Sequence, residues 1–168
     1  MTRTSFAHWP CSIARTVDVI GDGWTPLILR EAFYGTTRFD DFERTLRVSR
    51  NVLTRRLSRL VDEGLLERQE YQQNPPRHDY VLTVKGRELF PVLAAMMAWG
   101  DRWVAPNEGP PVLLRHLTCG HDVHAEVVCS HCREPLEAAE VAPRLGPGFP
   151  DRMRDAVLAT GRFSTVVE

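Results

Sequence analysis

Three of the four cysteines and four of the six histidines fall between His116 and Cys132. His116-x-x-Cys119 and Cys129-x-x-Cys132 form two ligand-type pairs with nine residues between them. Tetrahedral zinc accepts such sets of thiolate and imidazole, and two turns of this spacing make a zinc ribbon. With four protein ligands the Zn2+ is structural, because no position is left open for substrate. Gly120 follows Cys119 as a tight turn requires, whereas Arg133 stands where a second glycine is expected. His121, His124 and His131 are alternative fourth ligands, and a C-x-x-C redox pair or a chance grouping are the competing readings.

A second group of residues points to different chemistry. From Arg47 to Arg59 the sequence RVSRNVLTRRLSR holds five arginines and no acid. A solvated helix face usually interleaves acids and bases for i,i+4 pairing, so this patch fits a polyanionic partner instead. Leu53, Leu57, Leu60 and Val61 recur at i, i+4, i+7 and i+8, which predicts an amphipathic helix from Arg50 to Glu63. Ser49 is its expected N-cap and Gly64 its stop. The face opposite the leucines carries Asn51, Arg55, Ser58, Arg59 and Asp62. Arginine pairs bidentately with guanine and asparagine with adenine in the major groove of double-stranded DNA. Asn51 and Arg55 are therefore the first candidates for base contact. Ser49, Arg50 and Thr54 join them at the helix start, and Arg59 lies on the same outer face. Arg56 sits nearer the core flank, where an acid or a phosphate is its expected partner.

Such a helix needs a scaffold. Ile13, Val17 and Ile20 share a helical stripe that Gly21 and Gly23 end. Trp24 to Tyr34 reads as a buried helix with Thr25 as cap, Pro26 in the first turn and Gly35 at its close. Phe39 to Leu46 is a short helix with acids at its start, so residues 39–64 give the helix-turn-helix layout. Leu66–Tyr71 and His78–Thr83 alternate apolar and polar residues around the turn Gln72–Arg77, which predicts a hairpin wing. On it Arg77 and His78, with Gln73 and Asn74, are placed to meet phosphate or the minor groove. Thr83 caps a helix running to about Val104, and Pro91 should kink or split it. Asn107–Pro111 is a linker. The expected domains are 8–104, a winged helix-turn-helix, and 112–168, a zinc-ribbon-like segment with a Gly/Pro loop and a short helix at 151–160. The fold class is mainly α with a small β wing (α+β).

The net charge is −1, but its distribution is uneven. Residues 1–104 carry 15 Lys and Arg against 13 Asp and Glu, and residues 105–168 carry 6 against 9. No apolar run nears the roughly 18 residues that span a bilayer, and the first ten residues lack the apolar stretch of an export signal. A cytoplasmic location with no membrane partner is expected, and disulfides are not. No H-E-x-x-H, nucleophile elbow or phosphate loop is present, which argues against an enzyme. Cys11 stands apart. It lies just ahead of a helix with Arg15 one turn on, a setting that favours a reactive thiolate. Burial as a small apolar residue at a dimer interface is the alternative.

The segments CSIARTVDVIGDGWTPLILRE, RFDDFERTL, VLTRRLSRLVDEGLL, the PPR-containing wing and LTVKGRELFPVLAAMMAWGDRW, in that order, resemble the HxlR-type regulators, bacterial winged-helix transcription factors related to the MarR type. The resemblance covers residues 8–104. It implies a homodimer joined through its N- and C-terminal helices, binding an inverted-repeat operator to repress or activate a nearby gene. It also places Cys11 where some relatives are oxidised or alkylated, so an oxidant or small-molecule effector is an expected partner. Ser12, Asp22 and Pro26 depart from the usual pattern, and none lies on the recognition helix. A winged helix plus zinc ribbon is also similar to general initiation factors, so an adaptor binding the transcription machinery without operator specificity is the alternative.

Overall fold

The computed structural model describes residues 5–105, 107–161 and 163. The chain divides into two compact units, Val19–Ala125 and Met1–Asp18 with Glu126–Glu168. Helix α1 (Ser12–Ile20) leads into the first of these. There follow α2 (Thr25–Phe33), α3 (Phe39–Leu46), α4 (Arg50–Asp62), β1 (Leu66–Gln73), β2 (Pro76–Leu82), α5 (Val84–Arg87), α6 (Phe90–Trp103), β3 (Leu114–His116) and β4 (His121–Val123). The other unit holds a 3-10 turn at Ala138–Glu140 and helix α7 (Asp151–Leu158). Among the described residues no helix is long and apolar enough to cross a membrane.

The core lies under the helix-turn-helix. Leu53, Leu57 and Leu60 of α4 are buried with Ile28 and Leu29 of α2, Phe42 of α3, and Leu65 and Leu66 beyond α4. Full burial of each such side chain contributes about 1.5–3 kcal/mol, so the leucine stripe fixes which face of α4 points outward. The turn between α3 and α4 runs through Arg47 at φ 51°, a left-handed conformation taken here without glycine. Ser49 has the extended backbone of an N-cap, but its hydroxyl makes no capping bond.

The cap of α2 differs from the expected one. Thr25 is the first helical residue, and the carboxylate of Asp22 supplies the capping acceptor. Asp22 Oδ1 accepts the backbone N–H of Trp24 at 3.0 Å and of Thr25 at 3.1 Å, while Oδ2 accepts the Thr25 hydroxyl at 2.5 Å. The same Oδ1 lies 3.1 Å from Nε of Arg56. The contact falls off the line of that N–H, so charge rather than a directed hydrogen bond joins the pair. Arg56 thus takes the acid partner expected of its flank position, and α4 is tied to the loop before α2.

The wing is a two-stranded antiparallel hairpin pairing Leu66 with Leu82 through Gln73 with Pro76, with an irregularity between Glu70 and Gln72. Its strands reach further toward the tip than the alternation predicted, leaving only Asn74 and Pro75 as the turn. The amide of Gln72 donates to the carbonyls of Asn74 and Pro75, which closes that tip. A short bridge between Arg38 and Asp79 adds a third backbone to the sheet, with the Tyr80 N–H donating to the Thr37 carbonyl at 2.8 Å. The Thr37 hydroxyl also donates to Asp79 Oδ1 at 2.8 Å.

Thr83 caps α5 by accepting the Gly86 N–H at 3.0 Å, and the helical stretch splits before Pro91, which sits in the first turn of α6. The chain does not divide at the expected linker. Pro111, Val112 and Leu114 line an apolar cleft with Leu27, Phe33 and Leu93, so this segment packs on α2 and α6 and the boundary falls after Ala125.

Gly86 meets the chain so closely that an added Cβ would lie 2.1 Å from the Leu65 carbonyl oxygen. Gly86→Ala should destabilise the protein by about 1–3 kcal/mol, read as a lowered midpoint in urea. Burial alone would raise the Asp22 pKa. The Thr25 hydroxyl, the two backbone N–H groups and the Arg56 charge outweigh it and hold the carboxyl below its ordinary value. A depressed carboxylate stabilises the fold above its unfolded pKa of about 4, and that contribution is lost as pH falls through the folded pKa. Asp22→Asn should lower Tm at neutral pH and flatten the decline of Tm with acid below about pH 4. An unchanged acid profile would exclude this group.

Candidate nucleic-acid interface

Helix α4 is held by its leucines, so its opposite side is presented to solvent. Asn51, Thr54 and Arg55 are exposed there, and Ser49 is exposed at the helix start. Ser58 and Arg59 are half-buried further along. Arg59 Nη2 lies 3.7 Å from Glu63 Oε1, and the Ser58 hydroxyl accepts from Arg68 of β1 at 3.2 Å. A row of asparagine, threonine and arginine on the N-terminal half of a helix offers both donors and acceptors to base edges.

Arg50 is placed differently from its neighbours. Its Nη1 donates to Glu43 Oε2 at 2.6 Å and to Asp40 Oδ1 at 3.4 Å, and its guanidinium sits 4.8 Å from the centroid of Phe39. These contacts tie the start of α4 to α3. The sequence does not show this, because the acids lie seven and ten residues upstream, on another helix.

An open cleft of about 420 Å³ separates the α3–α4 corner from the wing. Arg38, Arg50, Tyr71, Arg77, His78 and Tyr80 are among its lining residues. The wing candidates Arg77 and His78 are thus brought to the same cleft as the start of α4. Arg38 was not singled out by sequence. It stacks 4.9 Å from the Tyr71 centroid, with Nε 4.0 Å from Asp79. Its one sequence signal is its place just before the acidic start of α3, which reads equally well as a plain loop residue.

The remaining candidates lie elsewhere. Cys11 is exposed and directly precedes α1. Arg15 donates from Nε to the Trp9 carbonyl at 2.9 Å. His116 ends β3, and its Nδ1 lies 3.3 Å from Cys119 Sγ in the turn before β4. Cys129 and Cys132 occupy a turn of the other unit, where the N–H groups of Cys132 and His131 hold the Cys129 thiol below its usual range. Among the described residues no three His, Cys, Asp or Glu side chains are gathered into a metal-holding group.

Residues 19–108 match the family model of the HxlR-like helix-turn-helix. An uncharacterized HTH-type transcriptional regulator of Mycobacterium tuberculosis is 45% identical over 138 residues, 82% of this chain and 87% of its own length. The chain is also similar to the crystal structure of PA1607, a candidate transcription factor, with a TM-score of 0.75 and 36% identity, covering 86% of this chain and 99% of that one. The oxidized form of the redox regulator HypR matches with a TM-score of 0.53 and 33% identity, over 57% of this chain and all of that one. The chain belongs to the HxlR-like helix-turn-helix family and is a transcriptional regulator, not an enzyme.

Proposed function

We propose that the protein acts as a homodimer on an inverted-repeat DNA operator, with α4 of each protomer in a major groove. The observation that carries this reading is the exposed row Asn51, Thr54 and Arg55, opposite a buried leucine stripe. In this reading Asn51 and Arg55 contact bases. Ser49 and Thr54 contact the backbone or adjacent base edges, while Arg59, Arg77 and His78 meet phosphates. Arg50, beside them at the start of α4, contacts DNA from the position where it pairs with Glu43 and Asp40 of α3. Exposed apolar side chains support dimerisation: Ile13 and Val17 on α1, and Phe90, Met96, Trp99 and Trp103 on α6. Faces of this kind are covered by a partner more often than left in water.

Arg55→Ala should weaken operator binding by about 1–3 kcal/mol and relax base preference at one position of each half-site. A titration of the upstream region of its own operon measures this. With about eight phosphate contacts, the log–log salt slope should be roughly −7. Equal affinity for operator and unrelated DNA would favour the adaptor reading.

A second reading concerns the effector. HypR is a redox regulator, and the similar protein YodB of Bacillus subtilis matches in its reduced form with 30% identity and a TM-score of 0.50. Cys11 is exposed in the single chain, next to the α1 face proposed to meet the partner protomer. Cys11→Ser should keep the DNA affinity of the reduced protein and abolish release by peroxide. Release that persists in the variant ends this reading.

A further inference from the structure

The unit Val19–Ala125 holds an apolar cleft of about 320 Å³ between α2, α6 and the segment that leads into β3. That volume lies at the lower end of small-molecule sites, about 300–1,000 Å³. Both helical walls are faces that the core under α4 does not use. Helix α2 buries Ile28 and Leu29 in that core and turns Leu27, Arg30 and Tyr34 to the cleft. On α6, Leu93, Met97 and Asp101 line the cleft at i, i+4 and i+8, so they form one stripe of the helix.

The tryptophans of the face proposed to meet the partner protomer lie elsewhere on α6. At about 100° per residue, Trp99 and Trp103 leave the helix on the side away from that stripe. Phe90 and Met96 line the cleft and also border the partner face. A second protomer that covers the two tryptophans therefore need not fill the cleft.

The chemistry of the walls selects an occupant. Phe33, Tyr34 and Phe90 supply three aromatic rings, with Phe33 and Phe90 edge to face at 5.2 Å between centroids. The face of such a ring is electron-rich and attracts a cation. Of the two charged residues lining the cleft, Arg30 is already neutralised. Its Nε and Nη2 donate to Glu31 Oε1 at 2.9 and 2.6 Å, and the Glu31 side chain is only 9% exposed. Asp101 is half-buried on the apolar stripe, and among the described residues no lysine, arginine or histidine pairs with it. The cleft thus carries one unbalanced negative charge between apolar and aromatic walls. Withdrawing a carboxylate from water is costly unless an opposite charge meets it.

We propose that this cleft binds a small organic cation, an ammonium group carrying an aromatic or branched apolar substituent. Asp101 supplies the opposite charge, and Tyr34 and Phe90 supply ring surface to the ammonium and its substituent. An anion of the same size is repelled by Asp101, and a neutral molecule leaves that carboxylate unpaired. The proposal is independent of operator binding, since it is read on the protein without DNA.

The test is isothermal titration calorimetry of the full-length protein at fixed ionic strength, with benzyltriethylammonium as the cation. The anion 4-phenylbutanoate and the neutral 4-phenylbutan-1-ol are the counterparts. The cation should bind more tightly than either counterpart, by about fivefold or more. Asp101→Asn should lose that preference and leave the alcohol unaffected. Tyr34→Leu, which keeps an apolar side chain but removes the ring, should weaken the cation by about threefold. The thermal midpoint of each variant shows whether it is folded, and the three-ligand comparison on the unaltered protein needs no variant. Absence of cation binding would overturn the proposal and would point to a cleft covered by the second protomer. Equal affinity for cation and anion, or cation affinity unchanged in folded Asp101→Asn, would overturn it as well.

Discussion

Burial of one side of α4 is the constraint from which the rest of the DNA-reading unit follows. Leu53, Leu57 and Leu60 are sealed against Ile28, Leu29 and Phe42, and turning the helix about its axis would bring those leucines into water. Three such side chains represent several kcal/mol of transfer free energy, at about 1.5–3 kcal/mol each. That is a large fraction of the 5–15 kcal/mol by which a domain is stable. The orientation of Asn51, Thr54 and Arg55 is therefore set by apolar packing, and none of the three needs a stabilising partner within the protein.

Charge then fixes what packing leaves adjustable. Arg56 leans on Asp22, which also caps α2, and Arg50 leans on Glu43 and Asp40 of α3. The two arginines leave opposite flanks of α4 and tie it to different neighbours. Arg50 is largely exposed, so its pairs contribute little stability. Their effect is geometric, limiting the swing of the start of α4 against α3. Arg55, between them in sequence, is left for a ligand.

Much of this was legible in the sequence, because its main signals are local. The leucine spacing, the split at Pro91, the cap at Thr83 and the paired strands all depend on neighbours within a few residues. The features that went unread depend on distant ones. Asp22 replaces Thr25 as the cap of α2: its carboxylate accepts two nearby N–H groups and its charge also faces Arg56, 34 positions later. Arg38 joins the sheet through Asp79, a partner that no period in its own segment reveals. The pairing of Arg50 with Glu43 and Asp40 likewise depends on acids of another helix. The linker looked free from its prolines and glycine, yet Pro111, Val112 and Leu114 found an apolar cleft to line.

The join between α4 and the helices beyond the wing is unusually dense. The Thr83 hydroxyl donates to the Gly64 carbonyl at 2.6 Å, the Thr83 N–H to the Leu65 carbonyl at 3.1 Å, and Lys85 Nζ to the Glu63 carbonyl at 2.5 Å. Gly86 presses on Leu65 with no room for a methyl group. The far end of the groove-facing helix and the root of α5 are thus riveted at one point, by a path that bypasses the hairpin tip. A tilt of α5 must either carry that helix end with it or break these bonds together, so the two behave as arms of a single lever.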